Sequence, residues 1–137
     1  MQAYYLYFAK IYAGLLFLLI CTLFLGLSLV PLSLLPILIV AGLITAQRFG
    51  KQQHRQPTNH EKIQLVWGLS AVAICIGSLF VFFLVMLNPN AEQILKQVDQ
   101  AGLGLYALVM LCIVALHGAV FHLIFGWYIR YFVSKLP

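Results

Sequence analysis

The sequence predicts an all-α integral membrane protein, a bundle of four transmembrane helices, on three observations. Of the 137 residues, 64% are hydrophobic and only 8% are charged, whereas about 25% of the residues of an ordinary soluble domain are charged. Four apolar segments follow one another along the chain, and most of the cationic residues lie at or beyond their ends. A soluble domain of this length could not bury so much apolar surface, so lipid is the expected solvent.

The four predicted spans form a single transmembrane domain over residues 1–137, at residues 11–30, 32–47, 63–87 and 101–127. All but the second are long enough to cross a hydrocarbon core of about 30 Å at about 1.5 Å per residue. The second is short and contains Pro36, and Pro31 precedes it. Such prolines are tolerated in a first helical turn or at a kink that other helices cover. Residues 27–33 are then predicted to form a tight turn.

The first segment has one feature of a secretory signal, because Lys10 precedes its apolar run. However, the run is long enough for a full span, and no small-residue cleavage site follows it. We therefore expect it to be retained as a helix.

The connection between the second and third spans determines the predicted orientation. This basic loop contains one acidic residue, Glu61, and four cationic residues: Arg48, Lys51, Arg55 and Lys62. Short loops rich in Lys and Arg stay in the cytoplasm during insertion. Both termini are then cytoplasmic, and seven of the eight basic residues lie on that side, leaving Lys96 outside. Because these cations flank apolar segments, the net charge of +5 does not indicate nucleic-acid binding.

Aromatic residues gather at the same predicted side of the membrane, where an amphipathic ring keeps its polar atom in contact with water. They are Tyr4, Tyr5, Tyr7, Tyr12, Trp67, Trp127, Tyr128 and Tyr131.

Local motifs define the third helix and the outer loop. Thr58 followed by Glu61 matches a capping box, so the third helix is predicted to begin in the cytoplasm and to run about 45 Å to Leu87. The outer loop alternates apolar and charged residues over positions 92–99. This pattern predicts a short helix on the outer surface between helices three and four.

Small residues predict the faces on which the helices meet, because helices in lipid associate by close backbone approach. On the fourth helix one stripe, within about 80° of the helix circumference, comprises Leu108, Cys112, Ala115, Ala119, His122 and Gly126. The third helix offers Ser70, Ala73 and Gly77, and the second offers Gly42, Thr45 and Ala46. All three sets are expected to face the bundle.

Two histidines lie within the fourth apolar segment. His122 lies on the small-residue stripe, where we expect a hydrogen bond to a hydroxyl or carbonyl of a neighbouring helix. His117 lies on the opposite face, among large side chains expected to meet lipid, and a polar group there is a candidate functional residue. Our hypothesis is that His117 contacts a second copy or another membrane protein. The alternative is that helix one or two covers it within the chain.

The inventory of reactive groups argues against an enzyme. The three acids, Glu61, Glu92 and Asp99, all lie in predicted loops or helix starts, so no intramembrane carboxylate can orient a histidine. His117 and His122 are about 140° apart on one helix, which disfavours haem ligation. The cysteines Cys21, Cys75 and Cys112 each lie within a different apolar run, which favours packing over a metal site or disulfide. No catalytic group, metal or cofactor is predicted.

One segment of the chain is similar to a known group of proteins. It comprises residues Thr45 to Trp67, T-A-Q-R-F-G-K-Q-Q-H-R-Q-P-T-N-H-E-K-I-Q-L-V-W. A small-residue helix ends in Arg48-Phe49, and an R-x-P-[ST] step, an acid and an apolar-Trp pair follow. The segment resembles an uncharacterised family of short four-helix Gram-negative inner-membrane proteins, although Gln64 stands where a basic residue would strengthen the match. The resemblance covers about 23 residues and the four-span layout. It implies an inner-membrane location and no established activity.

Two classes of function follow. The first is a non-enzymatic interaction protein, such as an accessory subunit or an immunity-type protein, whose partners would be the lipid bilayer and a membrane protein or a second copy. The second is a small transporter or an oligomeric pore, for which polar residues are sparse. The basic loop, with His54 and His60, either recognises anionic lipid or serves topology alone.

Overall fold

The computed structural model describes residues 1–24 and 30–135, and the side chains of residues 1–21 and 34–135. Apart from its ends and the short connections between helices, the described chain is helical, and it contains no strand. The helices are α1 (Gln2–Phe24), α2 (Val30–Gln53), α3 (Asn59–Leu87), α4 (Ala91–Gln100), α5 (Gly102–Leu123) and α6 (Ile129–Val133), and a π-helical turn (Ile124–Tyr128) joins α5 to α6. The predicted all-α class is confirmed.

Four segments of the described chain are long and apolar enough to cross a membrane. They are Gln2–Cys21, Leu34–Gln53, Asn59–Leu87 and Gly102–Val133. The predicted number of spans is confirmed to this extent, but several predicted bounds were too narrow. Apolar runs mark the part of a helix that lipid favours, whereas backbone hydrogen bonding continues into neighbouring polar residues that have good helix propensity.

The two N-terminal helices differ most from their predicted bounds. Helix α1 begins at Gln2 rather than at residue 11, and α2 runs to Gln53 rather than ending at residue 47. Arg48 and Lys51, predicted in the basic loop, therefore lie in the last turns of α2. Of the predicted turn at 27–33, residues 25–29 lie outside the described part, and residues 30–33 are already helical.

The four long helices contact one another in a ring. Helix α1 packs against α2 and α3, while the helix from α5 to α6 packs against α3 and against α2. The N-terminus, the α2–α3 connection and the C-terminus meet at one end of this ring. There the Arg48 guanidinium lies 3.9 Å from the centre of the Tyr7 ring, and Phe132 lies against Gly50. We call the half of the molecule at this end the loop-side half. The half at the opposite end, which carries α4, is the far half.

The α2–α3 connection is short and tightly bonded. Helix α2 ends at Gln53. The next residue, His54, has a left-handed φ of 48°, and its N–H donates to the Gly50 carbonyl at 2.9 Å. Helix α3 begins with the predicted capping box, which is confirmed: the Thr58 hydroxyl accepts from the Glu61 N–H, and the Glu61 carboxylate accepts from the Thr58 N–H. Helix α3 therefore has 29 residues, about 44 Å.

The predicted short helix between the third and fourth spans is present as α4. It has no buried residue, and its apolar side, with Ile94 and Val98, lies beside Leu105 and Val109 of α5. Gly102 joins the two helices at a φ of +76°, a conformation that residues with a Cβ rarely adopt. The glycine thereby lets α4 fold back directly onto α5.

Aromatic rings fill the core of the loop-side half. Four phenylalanines from α1, α2 and the fourth span are almost fully buried: Phe8, Phe49, Phe121 and Phe125. The Phe8 and Phe121 rings meet edge to face at 5.5 Å, so α1 and α5 touch across the centre. Edge-to-face rings at this spacing attract each other beyond simple area burial.

Candidate functional site

The far part of the small-residue stripe on the fourth helix faces away from the chain's own helices, and its loop-side part borders α3. Leu108, Cys112, Ala115, Ala119 and His122 are exposed, and Gly126 is half-buried. The buried residues, Phe121, Ile124 and Phe125, lie on the opposite side, where large side chains were expected to meet lipid. The prediction that this stripe packs inside the bundle is therefore wrong for Leu108, Cys112 and Ala115, whereas Ala119, His122 and Gly126 lie beside α3.

The reason lies in how α5 meets α2. Gly42 of α2 receives large side chains of the other helix: a Cβ at Gly42 would lie 2.7 Å from Ile124 Cδ1 and 3.1 Å from Phe121 Cε1. One small residue facing a large one is enough for close packing, so only one of two contacting helices needs small residues. Lipid-facing and buried positions are both apolar. Hydrophobicity therefore could not show which face of α5 meets lipid and which meets the other helices.

The small residues of the second and third helices lie where they were predicted. Ser70 and Ala73 of α3 are buried, as are Thr45 and Ala46 of α2. Gly77 is half-buried, and a Cβ there would lie 3.5 Å from the Tyr12 hydroxyl. These helices thus present small faces to the interior.

His117 lies in a cavity inside the chain. The imidazole is half-buried, and its Nδ1 lies 2.8 Å from the Ile113 carbonyl of its own helix, to which an N–H at that atom donates. The cavity, about 550 Å³, is lined from all four long helices, including Tyr12 of α1 and Leu38 of α2. Helices one and two thus line the cavity beside His117, in agreement with the alternative from the sequence, and a contact of His117 with another protein stays a prediction.

His122 has a partner on the neighbouring helix, but not the predicted hydroxyl or carbonyl. Its Nε2 lies 3.3 Å from the Nζ of Lys62 on α3. The Lys62 ammonium also reaches Gly126, where a Cβ would lie 2.8 Å from Nζ. Lys62, predicted in the basic loop, thus lies in the first turns of α3 and bridges to the fourth span. Sequence separation concealed this pair, since the two residues are 60 positions apart in the chain.

The remaining cations of the predicted basic loop have different partners. Arg55 forms a two-bond pair with Glu61, at 2.8 Å for each N···O contact. This pair raises the pKa of Arg55 and, with the Thr58 N–H, lowers the pKa of Glu61 to about 2. Arg48 lies over the Tyr7 ring, and Lys51 is exposed.

The aromatic residues divide into two groups. Trp67, Trp127 and Tyr131 are exposed, as expected of rings at a membrane interface. Tyr4 and Tyr12, in contrast, are buried between helices, and their predicted depth at the membrane interface stays a prediction. The Tyr5 hydroxyl donates to the Gln64 carbonyl, and Tyr128 accepts from Gln47. A Tyr ring can therefore serve as a helix-packing residue here, because its hydroxyl finds a partner on another helix.

A groove of about 350 Å³ separates α3 from α5 in the loop-side half. Its lining consists of Val66, Trp67, Ser70, Val114, Gly118, Ala119 and His122. The Ser70 side chain is 3% exposed, and its hydroxyl has no hydrogen-bond partner. Lys62 stands at the His122 end of the groove. The groove combines one cation, one imidazole and one unpartnered hydroxyl on an otherwise apolar wall, and sequence reasoning did not identify it.

No group of three His, Cys, Asp or Glu side chains able to hold a metal ion occurs within the described residues. Cys21, Cys75 and Cys112 are free and exposed in the structure, each on a different helix.

Comparison of the chain with protein-family profiles, with curated proteins and with solved structures found no match.

Proposed function

We propose that this chain is a non-enzymatic interaction protein of a bacterial inner membrane, with both termini in the cytoplasm and α4 on the outer surface. The support for this orientation is that the cations of the α2–α3 connection and both termini lie at the same end of the helices. Seven of the eight basic residues then lie on one side, as insertion requires. The resemblance of Thr45 to Trp67 to inner-membrane proteins supports the choice of membrane.

The observation that carries the function is the outward face of α5, formed by Leu108, Cys112 and Ala115. These small and apolar residues are exposed, although small residues in membrane helices commonly mark a helix contact. The buried residues of the fourth span, such as Phe121, Ile124 and Phe125, lie on the other side. We propose that a transmembrane helix of another membrane protein packs on this outward face, as expected of an accessory subunit or an immunity-type protein.

Photo-cross-linking in native membranes tests this proposal. A photoreactive amino acid at Ala115 should give one discrete adduct with a membrane protein, whereas the same group at Ala71, an exposed alanine of α3, should give none. Ala115→Phe should abolish the adduct formed from position 112. Absence of an adduct from both 112 and 115 would overturn the proposal, and an adduct of two copies would replace the partner by a homo-oligomer.

The transporter alternative has a separate test. Flux of a solute into proteoliposomes containing the purified chain alone would favour it over the interaction proposal. The polar residues that line the cavity beside His117 are Tyr12, Ser78 and His117 itself, which supply few groups for a hydrated path.

For an immunity-type role, deletion of the gene should sensitise cells only when the partner protein is present.

A further inference from the structure

The α3–α5 groove contains a hydrogen-bond donor that the protein leaves unused. Ser70 is buried with no partner for its hydroxyl, and an unpartnered polar group in an apolar setting costs free energy. Thr45, equally buried on α2, shows the usual solution: its hydroxyl donates to the Ala41 carbonyl one turn earlier, at 2.8 Å. Ser70 does not bond its own helix in this way and stays available at the floor of the groove.

Lys62 adds a positive charge at the loop-side end of this groove. Its ammonium lies 3.3 Å from His122 Nε2, and if it donates there, the imidazole is neutral and further N–H groups remain for another acceptor. The nearest acid along the chain, Glu61, is paired with Arg55, and that is the only ion pair among the described residues. Lys62 therefore has no carboxylate partner in this part of the structure.

The walls of the groove fit a hydrocarbon chain. Val66 and Val114 supply apolar surface from the two helices, and Gly118 and Ala119 leave space beside them. A Cβ added at Gly118 would meet nothing within 4 Å. Trp67, exposed at the rim, is of the type that sits at the level of lipid headgroups. A free inorganic anion would gain nothing from this apolar surface, whereas an acyl chain would cover it.

We propose that the groove binds an anionic glycerophospholipid, with the phosphate at Lys62, an ester carbonyl at Ser70 and an acyl chain along Val66 and Val114. Ser70 lies eight residues beyond Lys62 along α3, about 12 Å deeper along the helix axis. The interfacial layer of one leaflet is about 5–8 Å thick, and the flexible Lys62 stem spans the difference. The two donors thus match the two acceptor levels of a phospholipid. This inference needs only the loop-side end at a membrane interface and is independent of the helix partner proposed above.

Quenching of Trp67 fluorescence by brominated lipid tests the proposal directly. In the full chain carrying Trp127→Phe, Trp67 is the one remaining tryptophan. The protein is placed in phosphatidylcholine vesicles that contain increasing fractions of phosphatidylglycerol brominated in its acyl chains. We expect brominated phosphatidylglycerol to quench at about fivefold lower mole fraction than brominated phosphatidylcholine, the preference that one lysine near an anionic lipid provides.

Single substitutions show which residues cause the preference for phosphatidylglycerol. Lys62→Gln should remove it, whereas Lys51→Gln, an exposed cation at the same end of the molecule, should leave it unchanged. Ser70→Ala should weaken binding about two- to fivefold, the loss of one hydrogen bond. Gly118→Leu should fill the groove and abolish the excess quenching, without a clash in the fold.

Three results with the brominated lipids would overturn the proposal. They are equal quenching by the two brominated lipids, a preference that survives Lys62→Gln, and a preference that is lost equally with Lys51→Gln. Competition by inorganic phosphate at millimolar concentration would show a free-anion site and would also overturn the lipid assignment. Photo-cross-linking at Ala115 is unaffected by any of these outcomes, so failure here and failure of the helix partner are distinguishable.

Discussion

The loop-side half and the far half of the molecule are built in different ways, although the same helices run through both. On the helix from α5 to α6, Phe121 of the loop-side half is 0% exposed, whereas Leu103 near the far end is 89% exposed. None of the described side chains from residue 101 to 120 is buried. In the loop-side half the rings of Phe8 and Phe121 interlock, while the far half holds the cavity beside His117.

This difference shows where the chain relies on its own packing and where it relies on lipid. Burial in lipid yields no hydrophobic gain for helix association, so stability comes from close contact between side chains. In this molecule such contact is concentrated near the capping box, the termini and Gly42. The far half leaves most of its apolar surface to lipid or to a partner. Substitutions should therefore have larger effects on stability in the loop-side half.

The largest expected effect is that of Phe121→Ala. The ring is fully buried and touches Phe8, so its removal should lower the free energy of unfolding by about 3 kcal/mol. Equilibrium unfolding in mixed micelles measures this loss. Phe83→Ala, an exposed phenylalanine of the far half, is the matched control and should change stability by less than about 0.5 kcal/mol. Equal losses for the two variants would contradict the division into halves.

Gly42→Leu should come next. Even a Cβ at this position is too close to Ile124, so a leucine must push α2 from α5 and cost about 2 kcal/mol. Gly104→Leu on α5 provides the comparison, because a Cβ there meets nothing within 4 Å. This control should unfold no more easily than the parent chain, since leucine favours helix over glycine. A tolerated Gly42→Leu would mean that the two helices do not pack as described.

His117→Leu should have a small effect. The Nδ1 hydrogen bond of the ring is to a carbonyl of its own helix, and hydrogen bonds between side chains in membrane proteins average about 0.6 kcal/mol. We expect a change of less than about 1 kcal/mol in unfolding and an unchanged adduct from the photoreactive group at position 115. Loss of that adduct with unchanged stability would support His117 as an intermolecular contact.

The smallest effect concerns acid pH at the capping box. Because pairing lowers the pKa of Glu61 to about 2, its contribution to stability is complete above the usual value of 4.5. That contribution is lost as the pH falls toward 2. NMR titration of the Glu61 carboxyl should give a midpoint near 2, and Arg55→Gln should move it toward 4.5, since Arg55 is the main cause of the shift. An unchanged midpoint in Arg55→Gln would contradict the pair.

Features encoded by neighbouring residues could be predicted from the sequence. The capping box of Thr58 and Glu61 and the short helix α4 needed only spacing within a few residues. The number of spans followed from the length of the apolar runs, because the hydrocarbon thickness sets the length of helix required.

Contacts between helices could not be predicted in the same way. Hydrophobicity distinguishes lipid from water, and it does not distinguish lipid from protein. Leu108, Cys112 and Ala115 of α5 were therefore assigned to the interior although they face outward. The pairing of Lys62 with His122 and the orphan hydroxyl of Ser70 were not foreseen. The sequence by itself determined which segments are helical and apolar. Only the tertiary structure decided which faces meet, because that choice depends on the fit of particular side chains such as Phe121 against Gly42.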